Sequence, residues 1–74
     1  MKQKILEILS DIRPEFDFSE NVNYVNNGML DSLDVITLVD DLQEEYGIEI
    51  PGTEITMENF CNLDAICNLV EKYK

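Results

Sequence analysis

The chain has 74 residues, and because 45% of them are hydrophobic its composition predicts a folded globule rather than a disordered segment. Sixteen Asp and Glu against five Lys and Arg give a formal net charge of −11, which argues against nucleic acid or anionic lipid as a partner and favours proteins with basic surfaces. This length allows one small domain over residues 1–74, expected to be a monomer. No apolar run approaches the roughly 18 residues of a membrane span and the opening residues lack a signal-peptide pattern, so the expected location is the cytoplasm, without insertion in a membrane.

The basic residues are confined to the two ends of the sequence: Lys2, Lys4, Arg13, Lys72 and Lys74. The region from Asp31 to Glu49 carries seven carboxylates and no cation. We therefore expect these carboxylates to face no cation of the chain and to repel one another. Such repulsion predicts that added salt or divalent cations stabilise the fold, and that a lower pH does so if folding raises the carboxyl pKa values.

The first predicted helix spans Lys2 to Arg13 and ends at Pro14, whose ring removes a hydrogen-bond donor and disfavours helical geometry at the preceding residue. Its buried face is predicted from four aliphatic residues at helical spacing: Ile5, Ile8, Leu9 and Ile12. A long loop then runs from Pro14 to Leu30. A loop of this length needs apolar side chains to hold it in place, and the candidates are Phe16, Phe18, Val22, Tyr24, Val25 and Leu30. Of these, Phe16, Phe18 and Leu30 are expected to hold the loop against the helices.

The second predicted helix spans about Ser32 to Tyr46, with Asp31 or Ser32 as its cap and Gly47 ending it in a left-handed conformation. Its core stripe comprises Val35, Leu38, Val39, Leu42 and Tyr46. Leu33 and Ile36 fall off the edge of that stripe. They either pack against the long loop or form an exposed apolar surface beside Ser32.

The remaining chain begins with an extended segment, Ile48 to Pro51, and a turn at Pro51-Gly52. A short helical turn over Thr56 to Phe60 is predicted with Thr56 as its cap. Asn62 is predicted to cap the last helix, from Leu63 to about Tyr73, whose core positions are Ile66, Leu69, Val70 and Tyr73. The fold class is therefore all-α, a small up-and-down bundle of three main helices plus a short fourth helix, with a long loop between the first two.

The chemistry that these residues can support is limited. With no His in the chain, neither a serine hydrolase of the usual kind nor a Cys/His zinc site can be built, and Cys61 and Cys67 are poorly placed to bridge each other. An EF-hand register that places Gly28 at the sixth position puts Val25 at a ligand position, and valine cannot bind calcium. Ser32 is better explained as a hydroxyl on which another enzyme acts, or simply as a helix cap.

Three segments together resemble the acyl carrier protein family: Asp31-Ser32-Leu33, the helix that follows, and Ile48-Glu49-Ile50-Pro51. The resemblance implies a carrier that is not itself an enzyme, with 4′-phosphopantetheine from coenzyme A attached to Ser32 between Asp31 and Leu33. It also implies that partners bind the second helix, and it favours an exposed Leu33 and Ile36. The implied contact residues are Asp31, Leu33, Asp34, Ile36, Asp40, Asp41 and Glu44. The implied partners are a phosphopantetheinyl transferase, a loading ligase and acyl-accepting enzymes with basic docking surfaces.

The segments around residues 28–32 and 54–63 resemble D-alanyl carrier proteins, which place an aromatic residue, here Phe60, just before the last helix. Asn62-Leu63 departs from the Thr-Pro pair common in that group, and Asp40 replaces an apolar residue that fatty-acid carriers often expose. The resemblance thus implies a D-alanyl carrier for teichoic acid D-alanylation. A carrier for fatty-acid or polyketide synthesis is the alternative, and an acidic helical binding module without a prosthetic group is a remoter one.

Overall fold

The computed structural model describes residues 1–74 and contains three α-helices and no strand: α1 Lys2–Ile12, α2 Ser32–Tyr46 and α3 Leu63–Tyr73. Two short 3₁₀ helices, Gly52–Glu54 and Met57–Phe60, lie between α2 and α3. The all-α prediction is confirmed, and so are the bounds predicted for α2 and α3. The first helix ends one residue earlier than predicted, because Arg13 has left helical geometry ahead of Pro14.

The core is one apolar cluster of 17 buried residues, with no polar or charged residue buried among them. Helix α1 packs against both α2 and α3. The predicted stripes supply most of the cluster: Ile5, Ile8 and Leu9 of α1, Val35, Leu38, Val39 and Leu42 of α2, and Ile66, Leu69 and Val70 of α3. Ile12, Tyr46 and Tyr73 lie half-buried at its edge. None of the three helices has the length and apolar character needed to cross a membrane.

The long loop between α1 and α2 is held by Tyr24, which is fully buried. Its ring meets that of Phe18 edge to face with centroids 5.0 Å apart, and its hydroxyl donates to the Phe18 carbonyl. The Tyr24 amide donates to the Cys61 carbonyl at 2.6 Å, which joins the loop to the segment before α3. Phe18 and Leu30 are buried as predicted, whereas Phe16 is only half-buried.

Local signals explain most of the helix ends. Gly47 follows α2 with φ +62°, and the Asn62 side chain accepts the Ala65 amide at 2.8 Å to cap α3, both as predicted. The predicted Thr56 cap is wrong, because the Thr56 side chain makes no capping hydrogen bond. The turn at Met57–Phe60 is held instead by Asn59, whose side-chain amide donates to the Glu54 carbonyl at 2.7 Å.

Candidate functional site

Ser32 is the first residue of α2, and the chain immediately before it is anchored. Gly28 has φ +71°, a left-handed conformation that glycine adopts without strain, and it turns the chain into the buried Met29 and Leu30. Asp31 and Ser32 then emerge at the surface as exposed residues. The serine is thus held at a fixed point between a buried loop end and a helix, with its side chain in solvent.

The cap of α2 is formed by two aspartates. The Asp31 carboxylate accepts the Asp34 amide at 2.9 Å, and the Asp34 carboxylate accepts the Asp31 amide at 3.1 Å. This is a reciprocal capping box in which aspartates replace the usual Ser/Thr and Glu/Gln. The interpretation of Ser32 as a simple helix cap is therefore wrong, since Asp31 has that role and the serine hydroxyl is left free of it.

Arg13, at the end of α1, reaches across to this cap. Its Nε donates to Asp34 Oδ2 at 2.8 Å, its Nη2 to Asp31 Oδ2 at 3.3 Å, and its Nη1 to Glu15 at 3.4 Å. The pKa of the Asp31 carboxyl is lowered, chiefly because it accepts the Asp34 amide and also because Arg13 lies close. Sequence reasoning missed the contact of Arg13 with this cap, and the positions of these residues in the sequence carried no signal for it.

The expectation that the carboxylates from Asp31 to Glu49 face no cation is therefore wrong. Arg13 pairs with Asp31 and Asp34, and Lys4 Nζ lies 3.7 Å from Glu45. The error arose because packing of α1 on α2 brings basic residues distant in sequence next to the acidic helix.

Beside Ser32, α2 exposes two large apolar side chains. Leu33 is 73% exposed and Ile36 is 54% exposed, so the interpretation in which they pack against the long loop is wrong. Residues three apart lie on the same helix face, and the pair therefore forms one apolar surface next to the serine. Exposed large aliphatic side chains of this kind often mark a contact with another protein.

The predicted acidic contact residues differ in their environments. Asp40 and Glu44 are exposed, and Asp41 is half-buried where α2 meets α1. The side chain of Asp34 is only 14% exposed and is held by the cap and by Arg13. Asp34 thus has a structural role that the sequence did not indicate, and its contact with partners stays a prediction. No group of three or more potential ligands is arranged to hold a metal ion.

Comparison with known families and proteins agrees with this geometry. The family described as "Phosphopantetheine attachment site" matches residues 3–70. The chain is 33% identical over 72 residues to the D-alanyl carrier protein of Lactobacillus acidophilus, covering 95% of this chain and 90% of that protein. It is 30% identical over 74 residues to the D-alanyl carrier protein of Lacticaseibacillus casei, covering 97% of this chain and 91% of that protein. It is 42% identical over 55 residues to D-alanyl carrier protein 1 of Lactiplantibacillus plantarum, covering 72% of this chain and 68% of that protein.

Proposed function

Because this chain belongs to the family of phosphopantetheine-carrying proteins, we propose that it carries D-alanine on an arm attached to Ser32, for the D-alanylation of teichoic acid. When bound, the 4′-phosphopantetheine group supplies a thiol at the end of a flexible arm, on which the cargo is held as a thioester at high effective concentration near each docked enzyme. The observation that carries the proposal is the exposed serine at a helix start whose cap is made by a different residue.

The residues around Ser32 fit a group attached by a phosphodiester. Ser32 is exposed, and the Asp31 carboxylate beside it is directed to the Asp34 amide. Leu33 and Ile36 provide apolar contact area beside it. These features leave room for both the arm and the enzyme that attaches it.

The attachment step needs a base from the partner enzyme. Ser32 Oγ forms a bond to the phosphorus of coenzyme A nearest the pantetheine, the bond to the bridging diphosphate oxygen breaks, and adenosine 3′,5′-bisphosphate leaves. The hydroxyl proton has to be taken up by another group. The chain has no His, and Asp31 is a weak base because its pKa is lowered, so this chain acts as a substrate. We therefore infer that it has no catalytic activity of its own.

The surface that partners would contact is the exposed face of α2. Leu33 and Ile36 supply apolar area, and Asp40 and Glu44 supply charge that attracts a basic surface. A phosphopantetheinyl transferase, a ligase that loads D-alanine and the enzymes that accept it would then share this face in turn. These partners are expected to share the face because each of them needs access to Ser32 or to the arm attached to it.

The interior favours a short, polar cargo over a long acyl chain. Phe18, Tyr24 and Phe60 pack in the apolar core and are at most 2% exposed. Two surface grooves, one between α1 and α2 and one between the long loop and the start of α3, are lined mainly by polar residues, with two hydrophobic residues in each. A fatty acyl chain held inside would have to displace packed side chains, whereas D-alanine remains outside on its arm.

The proposal is tested by incubating the protein with coenzyme A, magnesium and a broad-specificity transferase, followed by intact-mass measurement. We expect one phosphopantetheine on the wild type, none on Ser32→Ala, and one on the matched control Ser10→Ala, whose serine is exposed on α1. The modified protein is then offered D-alanine, L-alanine and a fatty acid with ATP and the loading ligase. Labelling of Ser32→Ala would refute the site, and preferential loading of the fatty acid would favour the alternative carrier function.

A further inference from the structure

The capping box at the start of α2 contains an electrostatic conflict that a usual box does not have. A box built from Ser or Thr with Glu carries one negative charge, whereas Asp31 and Asp34 bring two carboxylates together at the first turn. Like charges at this helical spacing repel each other. The positive end of the helix dipole relieves part of that repulsion, and a cation relieves more.

Arg13 is the cation that contacts this capping box. Its Nε and Nη2 donate to Asp34 Oδ2 and Asp31 Oδ2, so one guanidinium bridges both carboxylates. The planar fork of arginine allows this, whereas a lysine would offer a single charge point. The other basic residues in ion pairs, Lys2, Lys4 and Lys72, are engaged with Asp64, Glu45 and Glu54. None of them replaces Arg13 at the cap.

The backbone of Arg13 is itself fixed. Its amide donates to the Leu9 carbonyl at 2.9 Å as the last hydrogen bond of α1, and Pro14 follows directly. The guanidinium therefore links the end of α1 to Asp31, which precedes Ser32, and to Asp34 in the first turn of α2. About one third of its side chain is exposed, so it lies at the surface where a docked enzyme works.

We propose that Arg13 is a positioning residue for the modification of Ser32: by bridging Asp31 and Asp34 it holds the helix start in shape and offsets negative charge beside the serine. The inference rests on the proposed function. The phosphodiester formed on Ser32 adds a further anion next to two carboxylates, and without Arg13 these three charges would stand together with no cation of the chain beside them.

The test compares Arg13→Gln and Arg13→Lys with the control Lys4→Gln, which removes the same charge from the pair with Glu45. Two quantities are measured: kcat and KM for modification by a broad-specificity transferase with coenzyme A, and hydrogen exchange of the Asp34 amide by NMR. For Arg13→Gln we expect a fall in kcat of about two- to fivefold, as befits a partly exposed ion pair. We expect KM not to rise, because the more acidic surface still attracts a basic enzyme, and we expect faster exchange at Asp34.

Lys4→Gln should leave both quantities at the wild-type value, and Arg13→Lys should rescue only part of either. Wild-type kcat and wild-type Asp34 exchange in Arg13→Gln would overturn the proposal. If Arg13→Gln fails to fold, Arg13→Lys decides, and wild-type values in that variant would overturn it equally. A wild-type protein that accepts no phosphopantetheine would refute the proposed function, while Asp34 exchange would still decide whether Arg13 holds the cap.

Discussion

Replacing Phe18 with alanine tests how the long loop is held to the helices. The side chain is only 2% exposed, and its ring packs edge to face against Tyr24 at 5.0 Å and against Phe16 at 6.3 Å. Its carbonyl also accepts the buried Tyr24 hydroxyl, so the loop backbone is fixed at the same place. Truncating a buried aromatic of this kind costs about 3–5 kcal/mol in the free energy of unfolding.

That cost is large for so small a domain, whose core alone rarely supplies more than about 3–5 kcal/mol. With a shift of about 4–8 °C per kcal/mol, the melting temperature should fall by more than about 10 °C, and the variant should be largely unfolded in a circular-dichroism melt. Met57→Ala is the matched control, because Met57 is 41% exposed and its truncation should change stability by less than about 0.5 kcal/mol. A melting temperature of Phe18→Ala within a few degrees of the wild type would refute the packing account.

Two further predictions concern partner binding and pH. Leu33→Ala or Ile36→Ala should weaken binding to the transferase but leave the melting temperature unchanged, since both side chains are exposed. The association rate of the wild type should fall as salt rises. Binding that neither the substitutions nor salt affects would exclude this face. The pKa of the Glu54 carboxyl is lowered by folding, chiefly by the hydrogen bond from Lys72 and next by that from Tyr73. The ionised carboxylate therefore stabilises the fold fully above its ordinary pKa of 4.5, and this stabilisation is lost as pH falls through the lower pKa of the folded state. Glu54→Gln should therefore lower the melting temperature at pH 7 and have little effect near pH 3, and an equal loss at both pH values would contradict the assignment.

The condition under which a lower pH would stabilise the fold is not met in the structure. It required folding to raise carboxyl pKa values, whereas those that shift, Asp17, Asp31 and Glu54, are all lowered by the hydrogen bonds and charges around them. A carboxylate whose pKa is lowered by folding stabilises the fold less as pH falls. These three carboxylates therefore do not act as isolated, mutually repelling charges.

The sequence predicted well wherever local chemistry decides the structure. The bounds of α2 and α3 follow from a capping residue, a helical apolar stripe and, for α2, the left-handed Gly47. The offset of Leu33 and Ile36 from that stripe left two alternatives open, and the resemblance to acyl carrier proteins favoured their exposure, which the structure confirms. The reciprocal part of Asp34 in the cap was not predicted, because the sequence analysis placed that residue only among the partner contacts.

Contacts between distant segments were not predictable in the same way. The bridge from Arg13 to the cap of α2 depends on how α1 packs, and nothing in the spacing of the residues records that. The central place of Tyr24 in the long loop depends on the Cys61 carbonyl, which comes from the other end of the chain. The loop has no periodic pattern, and the sequence analysis singled out Phe16, Phe18 and Leu30 but not Tyr24, which the structure buries completely.

The central claim is that Ser32 carries the arm and that the arm carries D-alanine. The most direct measurement is mass spectrometry of the protein isolated from its own cells, with fragmentation of the peptide that contains Gly28 to Asp34. The account predicts a phosphopantetheine on Ser32, part of it bearing an alanyl group that chiral analysis after thioester cleavage identifies as the D form. An unmodified Ser32 in active cells, or a long acyl chain on the arm, would contradict it.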